Sequence, residues 1–452
     1  MKLRQPVVLC ALTLFGCLAW GQTRIPLEER LWVASKIYAS IPVYFAHWQG
    51  ARDLDLDAAY KEYLKGAASA ETRWEFDFLT LEFMARLKNG HTDFSDSFLS
   101  QAGGPSLGFS AAPVDGKWTV LETYTDKLKI GDVIEGIDKV SMDRFYADKR
   151  KYISASSEAA AQRVFFYRKW LFPQQFVLHL ASGADIRIDR SVQELHFPEP
   201  HPTEARWIRE ASIAYIRVQS FDDPKYEDFA LNAVRQYRNA QTIVIDVRGN
   251  GGGSSPERLL RAILDRPYRD WSQASALSIG LFRTYSSLRD HARPGELSER
   301  ESGYLDAFAE FAAPQILAPG ALIPPVGGAG RATLPNDPVY RGNILVLTDL
   351  ACASACEDFV MPLKYSGRAT IVGERTFGSS GQPFIYDFGN GMSFRISSRR
   401  MYFPDGSEFE GVGIAPDVEV RPSIADRQHG KDVALERAVG LASESGNRQT
   451  VK

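Results

Sequence analysis

The sequence predicts an α/β protein in which a layered core follows a helical module and a β-rich unit, and three observations predict it. From Ala211 onward strands and helices alternate: "IAYIRV", a helix over 225–238, "TIVIDV", a helix after Pro256, "NILVLTD", and a helix from Ser354. Residues 24–89 instead repeat apolar positions at helical spacing. Between the two, "KWTVLETY", "GDVIEGID" and "FVLHLASGADIRID" read as strands joined by tight turns. The expected division is 1–21, 22–100, 101–195, 196–430 and a C-terminal helix or tail over 431–452.

The first 21 residues carry Lys2 and Arg4, an apolar run from Pro6 to Trp20, and the ending "LAWGQ", the pattern of a signal peptide cut after Gly21. Cys17 leaves lipoprotein attachment as the alternative, although Phe15 suits it poorly and the apolar run continues past the cysteine. The expected location is therefore periplasmic or secreted. In the helical module, "LEERLWVASKIY" opens the pattern, and "RWEFDFLTLEFMARLKNG" sets Leu79, Phe83 and Leu87 on one face before Gly90 stops it. After the β-rich unit and the alternating core, "PFIYDF", "MSFRIS" and "RRMYFP" are expected to extend the core sheet in antiparallel fashion. Residues 270–341, rich in Gly, Pro and aromatics, fit no element, and long irregular inserts of that kind often cover sites.

Composition narrows the function. A chain of 452 residues has room for two or three domains. Its net charge is −3, made more negative by loss of Lys2 and Arg4, and it has no basic block, which argues against nucleic acid as a partner. No stretch after the leader reaches the roughly 18 uninterrupted apolar residues of a membrane-spanning helix. His196 and His201 flank "FPEP" and no His-Glu-x-x-His stretch occurs, so neither a metal nor another cofactor is expected. Beyond the leader only Cys352 and Cys356 remain. Four residues apart at a helix start, they are either a tight bridge or two buried thiols.

Three stretches could do chemistry. In "LACASACEDF", Ser354 would sit at a helix N-terminus, where free N–H groups favour negative charge; Ser-x-x-Glu with Glu357 is equally the signature of a capping box. In "TIVIDVRGNGGGSSPE", a buried strand runs into bare glycines whose amides can approach an anionic atom, without the Gly-Lys-Ser/Thr ending of a phosphate loop. In "RLKNGHTDF", His91 follows the end of a helix.

These features, with "IVGERTFG" and "PDGSEFEGVGIAPDVEV", stand in an order that resembles the C-terminal-processing (tail-specific) serine proteases, a family that includes the tricorn core protease, over about residues 205–425. The resemblance implies a core like that of the crotonase and Clp protease folds and Ser354 as nucleophile. It also implies oxyanion donors at the backbone amides of Gly252 and Ala355. The best-known branch carries a lysine base directly after Thr-Phe-Gly, but this chain has Ser379 there, and Lys364 is ten residues from Ser354, about 15 Å along a helix. The tricorn-like branch uses a histidine after the helical region, which matches His91, oriented by a glutamate that matches Glu410. That branch has a serine before its histidine where this chain has Gly90, so a fourth member is missing or comes from elsewhere. The β-rich unit is similar to a PDZ domain in "GGPSLGF", which implies peptide binding at Leu107, Gly108 and Phe109; a spacer that binds nothing is the equal alternative. The expected activity is hydrolysis of peptides or unfolded proteins through an acyl-enzyme. The rivals are a small-molecule esterase and a non-catalytic binder, since the family resemblance also reaches retinoid-carrying modules of the vertebrate eye.

Overall fold

The structure, a computed structural model, describes residues 24–197, 203–276, 289–291, 302–303, 305–306 and 338–449. The leader and most of the 270–341 segment lie outside the described residues. Helices α1 (Leu27–Tyr44), α2 (Leu56–Ser69) and α3 (Arg73–Ala85) open the chain. Helix α3 begins with a capping box: Thr72 Oγ1 accepts from Glu75 N at 3.1 Å, and the Glu75 carboxylate accepts from Thr72 N at 3.3 Å. Val33, Ile37 and Ile41 of α1 pack with Tyr63 of α2 and with Phe76, Phe83 and Met84 of α3. The chain then turns through His91 into β1 (Asp93–Asp96) and α4 (Ser97–Ala102).

The β-rich unit holds β2 (Phe109–Val114) and β3 (Lys117–Thr123) as an antiparallel pair. Strands β4 (Ile134–Ile137), β5 (Val140–Ser141), β6 (Gln175–Leu180) and β7 (Asp185–Asp189) form a second sheet in the order β5-β4-β6-β7. Helices α5 (Met142–Lys149) and α6 (Glu158–Val164) lie between β5 and β6 in sequence, and Trp118, Phe165, Phe166 and Leu178 form the centre of its core.

In the third part, β8 (Thr203–Arg209), β9 (Ile213–Val218), β10 (Thr242–Asp246), β12 (Asn343–Thr348), β13 (Ala369–Gly373) and β17 (Val418–Glu419) make a six-stranded sheet ordered β17-β13-β12-β10-β9-β8. Every pairing is parallel except β8 with β9. Successive side chains of a strand face opposite ways. Accordingly Ile243 and Ile245 join the cluster shared with α7 (Pro224–Gln236), α8 (Glu257–Ile263) and α9 (Ala355–Tyr365), whereas Val244 joins Ala438 and Ala442 of α11 (Val433–Gln449) on the other face. A short helix α10 (Ile424–Gln428) precedes α11.

One expectation fails here. Strands β14 (Pro383–Asp387), β15 (Met392–Ser397) and β16 (Arg399–Tyr402) do not extend the core sheet. Instead β15 pairs antiparallel with β1 as well as with β14, and β16 pairs with β11 (Ser272–Ser275). The pairing is favoured because Phe394 and Ile396 of β15 join the core of the helical module, while Arg395 on the other face holds Asp93 at 2.8 Å. This strand exchange ties the module that carries His91 to the core that carries Ser354.

Candidate active site

Strands β10 and β12 are parallel neighbours, so the chain leaves both at the same edge of the sheet. That edge is where open α/β sheets bind ligands. The glycine run follows β10, and Ser354 follows β12 at the N-terminus of α9. Ser354 has φ +56° and ψ −122°, a conformation that costs a non-glycine residue on the order of 1–3 kcal/mol. Hydrogen bonds from its N–H to the Glu357 carboxylate and to the Ser379 carbonyl, both 3.1 Å, hold it there. Cys352 and Cys356 form a disulfide across it with Cα atoms 5.4 Å apart, which settles the alternative between bridge and thiols: the turn before the helix draws the two Cα atoms within bonding range.

His91 Nε2 lies 3.3 Å from Ser354 Oγ. Such contacts are often long without substrate. The other ring nitrogen, Nδ1, is 2.8 Å from Ser379 Oγ, and Ser379 in turn donates to Glu410 Oε1 at 2.9 Å. The expectation that Glu410 orients the imidazole directly is therefore corrected: Ser379, which occupies the place of the missing lysine, stands between them. Two further residues converge on the same carboxylate oxygen, Asn89 through Nδ2 at 2.8 Å and Ser156 through its hydroxyl. Asn89 is fully buried, and its Oδ1 also accepts the His91 N–H at 2.9 Å. Neither Asn89 nor Ser156 emerged from the sequence. Asn89 stood inside the quoted "RLKNGHTDF" and could have been found by asking what fixes the histidine's backbone; Ser156 carries no motif. Lys364 bonds Asp417 instead.

Glu357 does more than cap α9. Its carboxylate, fully buried, also accepts from Thr376 Oγ1 at 2.5 Å, Gly378 N at 2.7 Å and Ser379 N at 3.1 Å. It thus joins the loop carrying Ser379 to the turn carrying Ser354. Burial pushes this carboxyl up, to about 8, against the pull of those donors.

The glycine run meets the serine closely. A Cβ on Gly252, at φ +98°, would lie 2.7 Å from the Ala353 carbonyl oxygen and 2.9 Å from Ala355 N. The Gly252 N–H itself donates to Asn250 Oδ1 at 2.9 Å, so of the two amides expected to form an oxyanion cradle this one is engaged within the protein. Gly252→Ala keeps the N–H but drives a Cβ against the Ala353 carbonyl and the Ala355 amide at a φ of +98°, so it should displace the turn beside Ser354 and lower kcat/KM on peptide by about 10²-fold, the size of a misplaced oxyanion donor. Unchanged turnover would remove the glycine run from the chemistry.

Charges at the site set its pH dependence. Burial, reinforced by Arg395 and opposed by Asp93, brings His91 down to about 4, so the ring is neutral and able to accept a proton throughout the neutral range. Burial raises Glu410 to about 7, against donation by Ser156 and Ser379 and the nearby Arg400. A raised carboxyl is protonated below that pH and ionised above it. Since the imidazolium formed during proton transfer needs the anion, kcat/KM should climb through an acid limb near pH 7, and Glu410→Gln should erase that limb. A profile already flat from pH 5 upward would contradict this.

Leu107, Gly108 and Phe109 belong to the β-rich unit and do not join this cluster. Leu107 and Phe109 are buried. The chain itself lies over the loop: Gln193 Nε2 donates to the Leu107 and Ser106 carbonyls at 2.9 and 3.1 Å, and a Cβ on Gly108 would fall 2.4 Å from Leu195 Cδ2. Among the described residues no group of His, Cys, Asp and Glu could hold a metal ion, and no helix is long and apolar enough to cross a membrane.

Residues 212–420 match the family model described as peptidase family S41. The chain is 34% identical over 92 residues to a carboxy-terminal-processing protease of Bartonella bacilliformis, covering 20% of this chain and 21% of that one. It is 24% identical over 216 residues to the carboxy-terminal processing protease CtpB of Bacillus subtilis, covering 46% and 34%. It therefore spans between a fifth and a third of the length of these relatives. Mature CPAF complexed with lactacystin shares the fold, with TM-score 0.68 and 15% identity over 92% of this chain and 98% of that one.

Proposed function

We propose, from the match of residues 212–420 to the model of peptidase family S41, that the chain is a serine peptidase of that family acting on peptides or unfolded proteins through an acyl-enzyme. The carrying observation is the continuous set of contacts from Ser354 Oγ through His91 to Ser379 and Glu410. With Nδ1–H donating to Ser379, the Nε2 lone pair faces the serine. Ser354 Oγ forms a bond to the substrate carbonyl carbon while its proton passes to Nε2 and the π pair moves to the carbonyl oxygen. When the oxyanion collapses, the C–N bond breaks and His91 returns that proton to the departing amine. Water, deprotonated by the same imidazole, then bonds to the acyl carbon, and as the C–Oγ bond breaks His91 returns that proton to Ser354 Oγ and the acid departs.

The strained backbone at Ser354 supports this reading over a plain cap, because a capping serine takes ordinary extended angles. We further propose that the protein works outside the cytoplasm, for which the signal-peptide pattern and the disulfide give support. Labelling with a fluorophosphonate tests the nucleophile: wild type should react and Ser354→Ala should not, and equal labelling would refute it. A peptide library read by mass spectrometry should show cleavage. Silence there alongside turnover of simple esters would make the protein an esterase, and silence in both would make it a binder.

A further inference from the structure

We propose that Ser156, contributed by the β-rich unit, is a positioning residue of the nucleophilic site, where it fixes at once the acidic end and the basic end of the contact set. The inference rests on the assignment of Ser354 and His91 given above. Ser156 stands immediately before Ser157, whose hydroxyl accepts from Ala160 N at 3.2 Å to cap α6. Ser156 itself is not used in that cap. Its hydroxyl donates to Glu410 Oε1 and accepts from Gly90 N at 2.8 Å, the amide directly before His91. Its carbonyl oxygen closes against the next residue along, where a Cβ on Gly411 would lie only 2.6 Å away.

Glu410 explains why one hydroxyl matters. Three donors meet at Oε1, from Asn89, Ser156 and Ser379, whereas Oε2 is buried without a partner among the described residues. The orientation of the carboxylate is therefore decided at a single oxygen. Without Ser156, that oxygen keeps only two donors, the acceptor offered to Ser379 loosens, and Ser379 loses its hold on His91 Nδ1. The Gly90 amide loses its acceptor in the same substitution. The site is thereby incomplete without the β-rich unit.

The charged and titratable groups facing these residues are Arg400 beside Glu410, Arg395 and Asp93 beside His91, and the Glu357 carboxyl, which accepts from the amides of Ser379 and Ser354. None is altered by a change at Ser156, so a displaced pH profile reports on the lost hydroxyl. Ser156→Ala should lower kcat about tenfold, leave KM within about twofold and move the acid limb of kcat/KM upward by about one pH unit, since the ionised carboxylate loses a donor. Ser156→Thr, which keeps the hydroxyl, should restore the limb. Ser156→Cys, a weaker donor of similar size, should displace it in the same direction as alanine and serves if the alanine variant fails to fold. An unmoved limb in both the alanine and cysteine variants, or a threonine variant as impaired as alanine, overturns the proposal. Fluorophosphonate labelling in parallel keeps the two questions apart. Should wild type and Ser354→Ala label equally, the underlying assignment fails; should they differ while Ser156→Ala matches wild type, only the role of Ser156 falls.

Discussion

Ser354→Ala is expected to lower kcat/KM on a peptide substrate by about 10⁵-fold or more, with a melting temperature within a few degrees of wild type. The size follows from the proposed chemistry, in which Ser354 Oγ is the atom that forms the acyl bond, and nucleophile deletions in serine hydrolases reach about 10⁶-fold. The small effect on stability follows from what is removed. The hydroxyl gives up one contact of 3.3 Å with His91, while the backbone bonds that hold the turn run through the amide and carbonyl. Alanine also accepts the same φ of +56° no more easily than serine does, so the strained turn is neither relieved nor worsened. Steady-state kinetics with a freshly titrated enzyme checks it, and residual activity above one part in a hundred would require another nucleophile.

His91→Ala should cost about 10⁴- to 10⁶-fold in kcat with little change in KM. Among the described residues no other lysine or histidine is placed to take over. Lys364 is bound to Asp417, and His47, the other imidazole near the site, is bonded to Ser397 Oγ at 2.9 Å and the Arg399 carbonyl at 3.0 Å, with burial taking it down to about 3. The neutral ring of His91 is also why the loss falls on kcat: it moves a proton and binds no substrate charge. Added imidazole, small enough to occupy the vacated space, should recover part of the rate in a concentration-dependent way. Retention of more than a tenth of the wild-type rate would remove the histidine from the mechanism.

The alternating core was legible because its strands are buried on both faces and its helices carry long apolar patterns, so period and length agree. Ser354 and the glycine run stood out as candidates because each follows the C-terminal end of a buried strand, but their expected roles as nucleophile and anion cradle were supplied by the resemblance. His91 was noticed only as a histidine past a helix end, and its role and Glu410 were reached through resemblance, since nothing in their local spacing demands that they meet. The role of Ser379 was misjudged. Read as the absence of a lysine, it is in fact the link between imidazole and carboxylate, a function that any short hydroxyl at 2.8 and 2.9 Å from its partners can perform and that leaves no periodic trace. The departure of β14, β15 and β16 from the core sheet escaped notice because alternation tells which face of a strand is apolar, not which apolar partner it will find.

The partners in this site come from far apart in the chain: 263 residues separate His91 from Ser354, and 321 separate Asn89 from Glu410. Contacts of such long sequence separation form late, after the local helices and hairpins. Reactivity is consequently a property of the finished tertiary structure. A completed but unfolded polypeptide carries every side chain of the set and yet holds none of them in reach of the others.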